Sequence, residues 1–205
     1  MTEEEWLSGQ FPDSLLKYID RCENPAKGKV RTRKCRLFRC AAFRSVWTQI
    51  PDDLLRDAVV KAEEFADGAC QRKELLLMRT EVSQTAHWLK SPFVEGCYNL
   101  LNPTAHRRVL DYFPYGATSN LCPLIRDIFG NPFRPVTFAP EWRSDTAVSL
   151  AKHIYEARDF AQMPILADAL QDAGCDNAEV LNHCRDANQV HVRGCWVVDR
   201  VLGKS

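Results

Sequence analysis

Lys29 to Ile50 reads KVRTRKCRLFRCAAFRSVWTQI, and this stretch decides the fold class. Leu37 and Ala41, then Phe38, Ala42, Val46 and Ile50, return at spacings of three and four, the period of one helical face. On that reading Lys29, Arg33 and Arg36 take the solvent face opposite Leu37 and Phe38. Pro51 ends the helix, and Asp52 caps the next one, whose apolar positions are Leu55, Val59, Ala62 and Phe65 and whose stop is Gly68.

The same signals recur outward in both directions. Thr2 and Glu5 are spaced as a capping box for a short first helix. Asp13 is placed to cap Ser14 to Asp20, and the loop Glu23 to Gly28 breaks the chain. Helices are expected over Gln71 to Lys90, Phe93 to Leu101 after a Ser91-Pro92 start, and Thr104 to Phe113, then a turn over Pro114 to Ser119. Leu121 to Phe129 closes at Gly130. Three prolines between Asn131 and Pro140 make an extended, ordered crossing. Four further helices follow: one from a Ser144 or Asp145 cap to Arg158, Met163 to Ala173 with Gly174 as its stop, Asp176 to Arg185, and Val192 to Leu202. Strand signals are poor. The expected fold is all-α, about ten mostly short helices in an irregular orthogonal bundle. Residues 1–120 form an N-terminal part with the basic helix 29–50, residues 121–205 a C-terminal part, and the two make one compact unit.

Composition excludes several classes. In 205 residues, 27 basic and 27 acidic side chains cancel, and 45% of residues are hydrophobic, an ordinary globular balance. Apolar runs are short, Leu75 to Met78 being typical, far below the ~18 residues of a membrane span. The opening Met1-Thr2-Glu3-Glu4-Glu5 has the wrong sign for a secretion signal. Nine cysteines, an odd number, mostly sit where a small apolar residue fits a helix. That pattern points to reduced thiols in a cytoplasmic protein rather than a disulfide framework.

Three blocks stand out in the C-terminal part: Arg126 to Pro135 (RDIFGNPFRP), Pro164 to Cys175 (PILADAL, then DAGC), and His183-Cys184-Arg185 with His191 to Asp199 (HVRGCWVVD). Together with the opening Thr2 to Leu7, the Cys35 to Trp47 helix and Ala66-Asp67-Gly68, they resemble a large paralogous family of bacterial proteins of a kind abundant in planctomycete genomes. The resemblance implies a shared fold and a cytoplasmic setting. It brings no activity and no catalytic residues.

Two groups of residues suggest chemistry. Cys175, His183, Cys184, His191 and Cys195 offer the nitrogen and sulfur donors zinc prefers, and His191 and Cys195, four apart, would share a helical face. Their spacing matches neither a Cys-x2-Cys knuckle nor an ordinary finger, so the bland alternative has the cysteines packing in the core. The basic stripe, Lys29, Arg31, Arg33, Lys34, Arg36 and Arg39, is second. Residues 21–44 carry nine bases against Glu23 alone, a pattern suited to phosphate contacts or to a solvated, internally paired face.

Arg126, Asp127, Arg134, Asp168, Arg193, Trp196 and Asp199 read as structural anchors, with an Asp–Arg pair drawn from Arg126, Asp127 and Arg134 holding the crossing and Asp168 accepting from Arg185 or capping a neighbouring helix. No Gly-x-Ser-x-Gly elbow or His-Glu-x-x-His helix is present, which leans against an enzyme. The leading expectation is a non-enzymatic protein-interaction or regulatory module with a protein partner and no cofactor. A zinc- or ligand-binding module built on the C-terminal Cys/His group is the alternative, and nucleic-acid binding through residues 27–44 is the second alternative.

Overall fold

The structure, a computed structural model, describes residues 1–22, 28–50, 52–85, 91, 93–103 and 121–204, with side chains from residue 32 onward in the second stretch. The described residues form eleven α-helices and three single-turn 3-10 helices, without a strand. The all-α expectation holds. No described helix is long and apolar enough to cross a membrane. Two compact units divide the chain: Gly9–Cys122, and Met1–Ser8 with Pro123–Ser205.

The first unit contains α2 (Pro12–Cys22), α3 (Gly28–Ser45), α4 (Asp53–Ala66), α5 (Arg72–Thr85) and α6 (Phe93–Leu100). Its core centres on α4, which packs against α3, α5 and α6. Leu55, Ala58, Val59 and Ala62, at helical spacing, are fully buried. Ala41, Ala42, Ala58 and Ala62 are all buried small residues on the two helices. Two cysteines reach carbonyls of α4: from α3 the Cys40 thiol donates to Val59, and from α6 Cys97 donates to Leu55. Helix ends follow the sequence at α4. Asp52 accepts the Leu54 amide, and Gly68, at φ +77°, closes a Schellman turn in which Gly68 and Ala69 donate to Phe65 and Glu64.

Other boundaries differ. α2 begins at Pro12, whose missing amide suits a first position, so the Phe11 carbonyl rather than Asp13 heads the helix and takes the Ser14 and Leu15 amides. α3 stops at Ser45 and passes into a single 3-10 turn over Trp47–Gln49, short of Ile50. Pro51, Pro92, residues 86–90, and the expected helix over 104–113 and turn over 114–119 lie outside the described residues.

The basic stripe is corrected most. Arg36 to Phe43 are all buried, so the middle of α3 is enclosed on every side rather than on one stripe. Arg36, 1% exposed, donates to the carbonyls of Leu100, Asn102 and Pro103 at 2.6–3.0 Å and lies 4.8 Å over the Phe65 ring. Burial lowers its guanidinium pKa to about 10. Arg39 is buried as well, and Arg33 pairs with Asp67 at 2.9 Å. Arg44 forks onto the buried Glu63 with two bonds of 2.9 Å. Lys34 is half-buried, and the side chains of Lys29 and Arg31 lie outside those described. A charged group that packing forces inward must be met by carbonyls or carboxylates, and here it is.

The second unit contains α1 (Glu3–Ser8), α7 (Leu121–Phe129), which enters it at Pro123, α8 (Asp145–Ala157), α9 (Met163–Asp172), α10 (Ala178–Arg185) and α11 (Trp196–Leu202). The capping box of α1 forms reciprocally: Thr2 N–H donates to Glu5 at 2.7 Å and Glu5 N–H to Thr2 at 3.2 Å. α8 to α11 share one apolar core, from Ala147 and Ile154 through Leu166 and Leu170 to Val197 and Val201. Ser144 caps α8 through the Ala147 amide. Asn177, not Asp176, caps α10, accepting the Val180 amide at 3.2 Å. Residues 131–139 contain no helix, and Val136 and Phe138 pack on the α8–α11 core, so the crossing runs ordered along it.

Candidate metal centre

α7 is amphipathic, with Leu124, Ile125 and Ile128 buried, and Asp127 falls on the same side, with no exposed surface. An acid at such a position needs donors. Three arrive from the other end of the chain. His183 Nε2 lies 3.2 Å and His191 Nδ1 2.9 Å from Asp127 Oδ1, while the Val192 amide donates to Oδ2 at 2.8 Å. Cys195 completes the group: its Sγ is 3.3 Å from His183 Nε2 and 3.9 Å from His191 Nδ1. The four donor atoms all lie within 4.8 Å of one another.

Local structure explains the convergence. α10 ends at Arg185, placing His183 in its last turn. The expected helix from Val192 does not form; α11 starts at Trp196. Val192 to Cys195 is instead a tight turn, with the Cys195 amide on the Val192 carbonyl at 2.9 Å and Gly194 at φ +97° in its third position. His191 and Cys195 therefore meet across a turn, not along a helical face. The two imidazoles are edge to face, 4.9 Å between centroids, and Trp196 lies 5.2 Å from His183. Gly130, at φ +73°, makes room for that indole: a Cβ there would sit 3.3 Å from Trp196 Cγ.

Of the five residues expected as ligands, the structure gathers His183, His191 and Cys195. Cys175 and Cys184 are buried in the α8–α11 core and stand outside the group. Asp127, expected only to anchor a turn, takes the fourth place. Its legible signal was an acid at the spacing of Leu124 and Ile128. It does not pair with Arg126, whose Nε donates to the Trp6 carbonyl at 2.8 Å. Arg134 bonds Glu3 and Glu179, and Arg185 donates to Asp168 at 2.7 Å on the surface. Arg193 lies 4.6 Å over the Tyr155 ring, and Asp199 is buried within α11.

The electrostatics are those of a buried site. Burial pushes the Cys195 thiol well up, Asp127 and Cys184 add to that, and the Val198 and Val197 amides oppose it. Burial pushes the Asp127 carboxyl up too, but its bonds to His183 and His191 outweigh this and bring it below the ordinary value. His191 Nε2 is buried without a hydrogen-bond partner.

A hydrogen-bonded relay uses the two nitrogens of a histidine for two partners, one base and one nucleophile. Here each histidine instead turns a single nitrogen toward both Asp127 and Cys195, so the group lacks the layout of a relay. The four side chains are of types that could hold a metal ion. A tetrahedral zinc with bonds of ~2.0–2.3 Å has six donor–donor edges of about 3.3–3.7 Å; four of the six here are 2.9, 3.2, 3.3 and 3.9 Å, and all lie within 4.8 Å. With a divalent cation bound, the Asp127 carboxylate and a Cys195 thiolate would supply the two negative charges that neutralise it.

Compared with known protein families, with curated proteins and with solved structures, the chain matches none of them.

Proposed function

We propose that this chain is a non-enzymatic metal-binding module, holding one zinc-type divalent ion between Asp127, His183, His191 and Cys195. The carrying observation is the convergence of one nitrogen from each histidine on the same carboxylate oxygen and the same sulfur. Two nitrogens and a sulfur favour zinc over magnesium or calcium, which take oxygen ligands. Four protein donors in a buried setting make a structural centre; a hydrolytic one keeps a position open for water. Cys195 has no exposed surface, unlike the partly exposed thiol of a nucleophile.

The reading as a protein-docking module has less support. Leu7, Phe11, Leu76, Leu77, Ile165 and Val190 are exposed, and exposed apolar residues are ordinary on a protein surface. Nucleic-acid binding through α3 loses Arg36 and Arg39 to the interior.

The test is metal content by mass spectrometry on tag-free protein expressed with zinc, followed by exchange of cobalt for zinc. About one ion per chain and a sulfur-to-cobalt charge-transfer band that disappears in Cys195→Ser is the expected result. Sub-stoichiometric metal after zinc supplementation, in a folded protein, overturns the proposal.

A further inference from the structure

Three of the four donors come from one segment, His183 to Cys195, and only Asp127 comes from α7. That asymmetry matters because α8 to α11 already share a continuous apolar core, to which no residue of α7 belongs. α8, α9, α10 and α11 contact one another extensively, and α7 has no comparable contact with any of them. Among the contacts that join α7 and the turn after it to this core are the Asp127 cluster, the Arg134–Glu179 ion pair at 2.8 Å, and Gly130 against Trp196.

α1 depends in turn on α7 and the turn that follows it. Arg126 donates to the Trp6 carbonyl at 2.8 Å, Asn131 donates to Glu3 at 2.8 Å, and Arg134 bonds Glu3. Trp6 is 1% exposed. A helix of six residues does not persist alone in water, so α1 exists only while that platform is in place.

We propose that the ion is a staple: by ligating Asp127 together with the His183–Cys195 segment it docks α7, and through α7 the N-terminal helix α1, onto the α8–α11 core. Metal loading therefore controls whether residues 3–8 are docked or released. The inference rests on the metal-binding reading and goes beyond it. A structural ion for the whole unit would melt α8 to α11 as well; a staple leaves them folded.

Hydrogen exchange read by mass spectrometry on the full chain, zinc-loaded and chelated, separates these outcomes. Exchange in residues 3–8 and 124–131 is expected to rise at least roughly tenfold on chelation, while α8 and α9 stay within about twofold. A second variant guards the interpretation: Asp127→Asn at saturating zinc keeps three donors and still takes up the ion, yet residues 3–8 remain in fast exchange. If zinc binds stoichiometrically and residues 3–8 do not respond to chelation, the staple fails and the site stands. If α8 to α11 lose protection together with α1, the ion is a folding ligand and the staple also fails. If no zinc binds, both readings fail.

Discussion

The carboxylate of Asp127 is divided between two tasks: Oδ2 accepts the Val192 amide at 2.8 Å, and Oδ1 faces the nitrogens of His183 and His191. The amide fixes the plane of the carboxyl, so Oδ1 is already aimed where a cation would sit. Preorientation by such outer partners is worth ~10–100-fold in metal affinity. Asp127→Asn, which removes the charge as well, is expected to weaken zinc binding by more than that, measured by competition with a chromophoric chelator. Wild-type affinity in the asparagine variant would remove Asp127 from the ligand set.

Arg36 serves as a cap made from a side chain. Its guanidinium holds three carbonyls at and just beyond the end of α6. Arg36→Lys keeps the charge but loses the planar fork and is expected to cost about 2 kcal/mol. Arg36→Met, which leaves those carbonyls without the donor, is expected to cost more, about 3 kcal/mol. Denaturant titration of both variants checks the order. Equal stability of the methionine variant and the wild type would show that the loop finds other donors.

Much of the fold was legible because helix ends are local. Thr2–Glu5, Asp52, Gly68 and Ser144 each act within five residues of themselves, and each does what its spacing implied. The errors have physical reasons. In α3, Arg33 and Arg44 stand four before and seven after Leu37, on its own helical side, so the charges are interleaved with the apolar positions and no clean solvent face exists; only tertiary packing reveals that the helix is enclosed. Likewise, a spacing of four between His191 and Cys195 fits a helix, yet Gly194 turned the chain instead. The candidate site was half visible. Its histidines and cysteine were named from donor type, whereas Asp127 lies 56 residues before His183, a relation that no local pattern carries. All four donors nonetheless fall within the sequence blocks Arg126 to Pro135 and His183 to Asp199.

Two glycines with left-handed backbones offer a contrast. Gly130, at φ +73°, faces Trp196, and Gly174, at φ +88°, faces open space. Gly174→Ala is expected to cost about 1 kcal/mol, the backbone strain alone. Gly130→Ala adds a steric clash with an indole that lies on His183, for a total of about 2–3 kcal/mol, and is expected to weaken zinc binding too. Thermal denaturation of the two variants side by side checks this; equal shifts would mean that Trp196 yields freely.

The capping box of α1 carries a pH signature. The Thr2 amide bond, and then the terminal ammonium charge, lower the Glu5 carboxyl below its ordinary value. A depressed acid stabilises the fold fully above its unfolded pKa and loses that contribution as pH falls through the lower folded value. The Glu5 side-chain carbonyl shift, followed by NMR, is expected to titrate below the ordinary glutamate midpoint and to move up toward it in Thr2→Pro, which lacks the amide. A midpoint at or above the ordinary value contradicts the cap.

All nine cysteines are free thiols, and they divide by access. Cys22 is exposed and Cys35 half-buried, while burial pushes Cys97 up to about 12 and raises Cys40, Cys184 and Cys195 as well. Ellman titration of native protein near neutral pH is expected to modify Cys22 first, then Cys35, with the buried set reacting only on unfolding. Rapid native modification of Cys195 would open the proposed centre to solvent and sink its structural role.

α1 packs with residues made much later. Trp6 and Glu3 are synthesised about 6–26 s before Arg126, Asn131 and Arg134, at translation speeds of roughly 5–20 residues per second. During that interval the residues of α1 have none of these partners, and a buried tryptophan travels as an exposed one. The nascent chain thus carries an apolar, acidic segment available to chaperones throughout synthesis of the first unit, withdrawn only when the C-terminal unit closes over it.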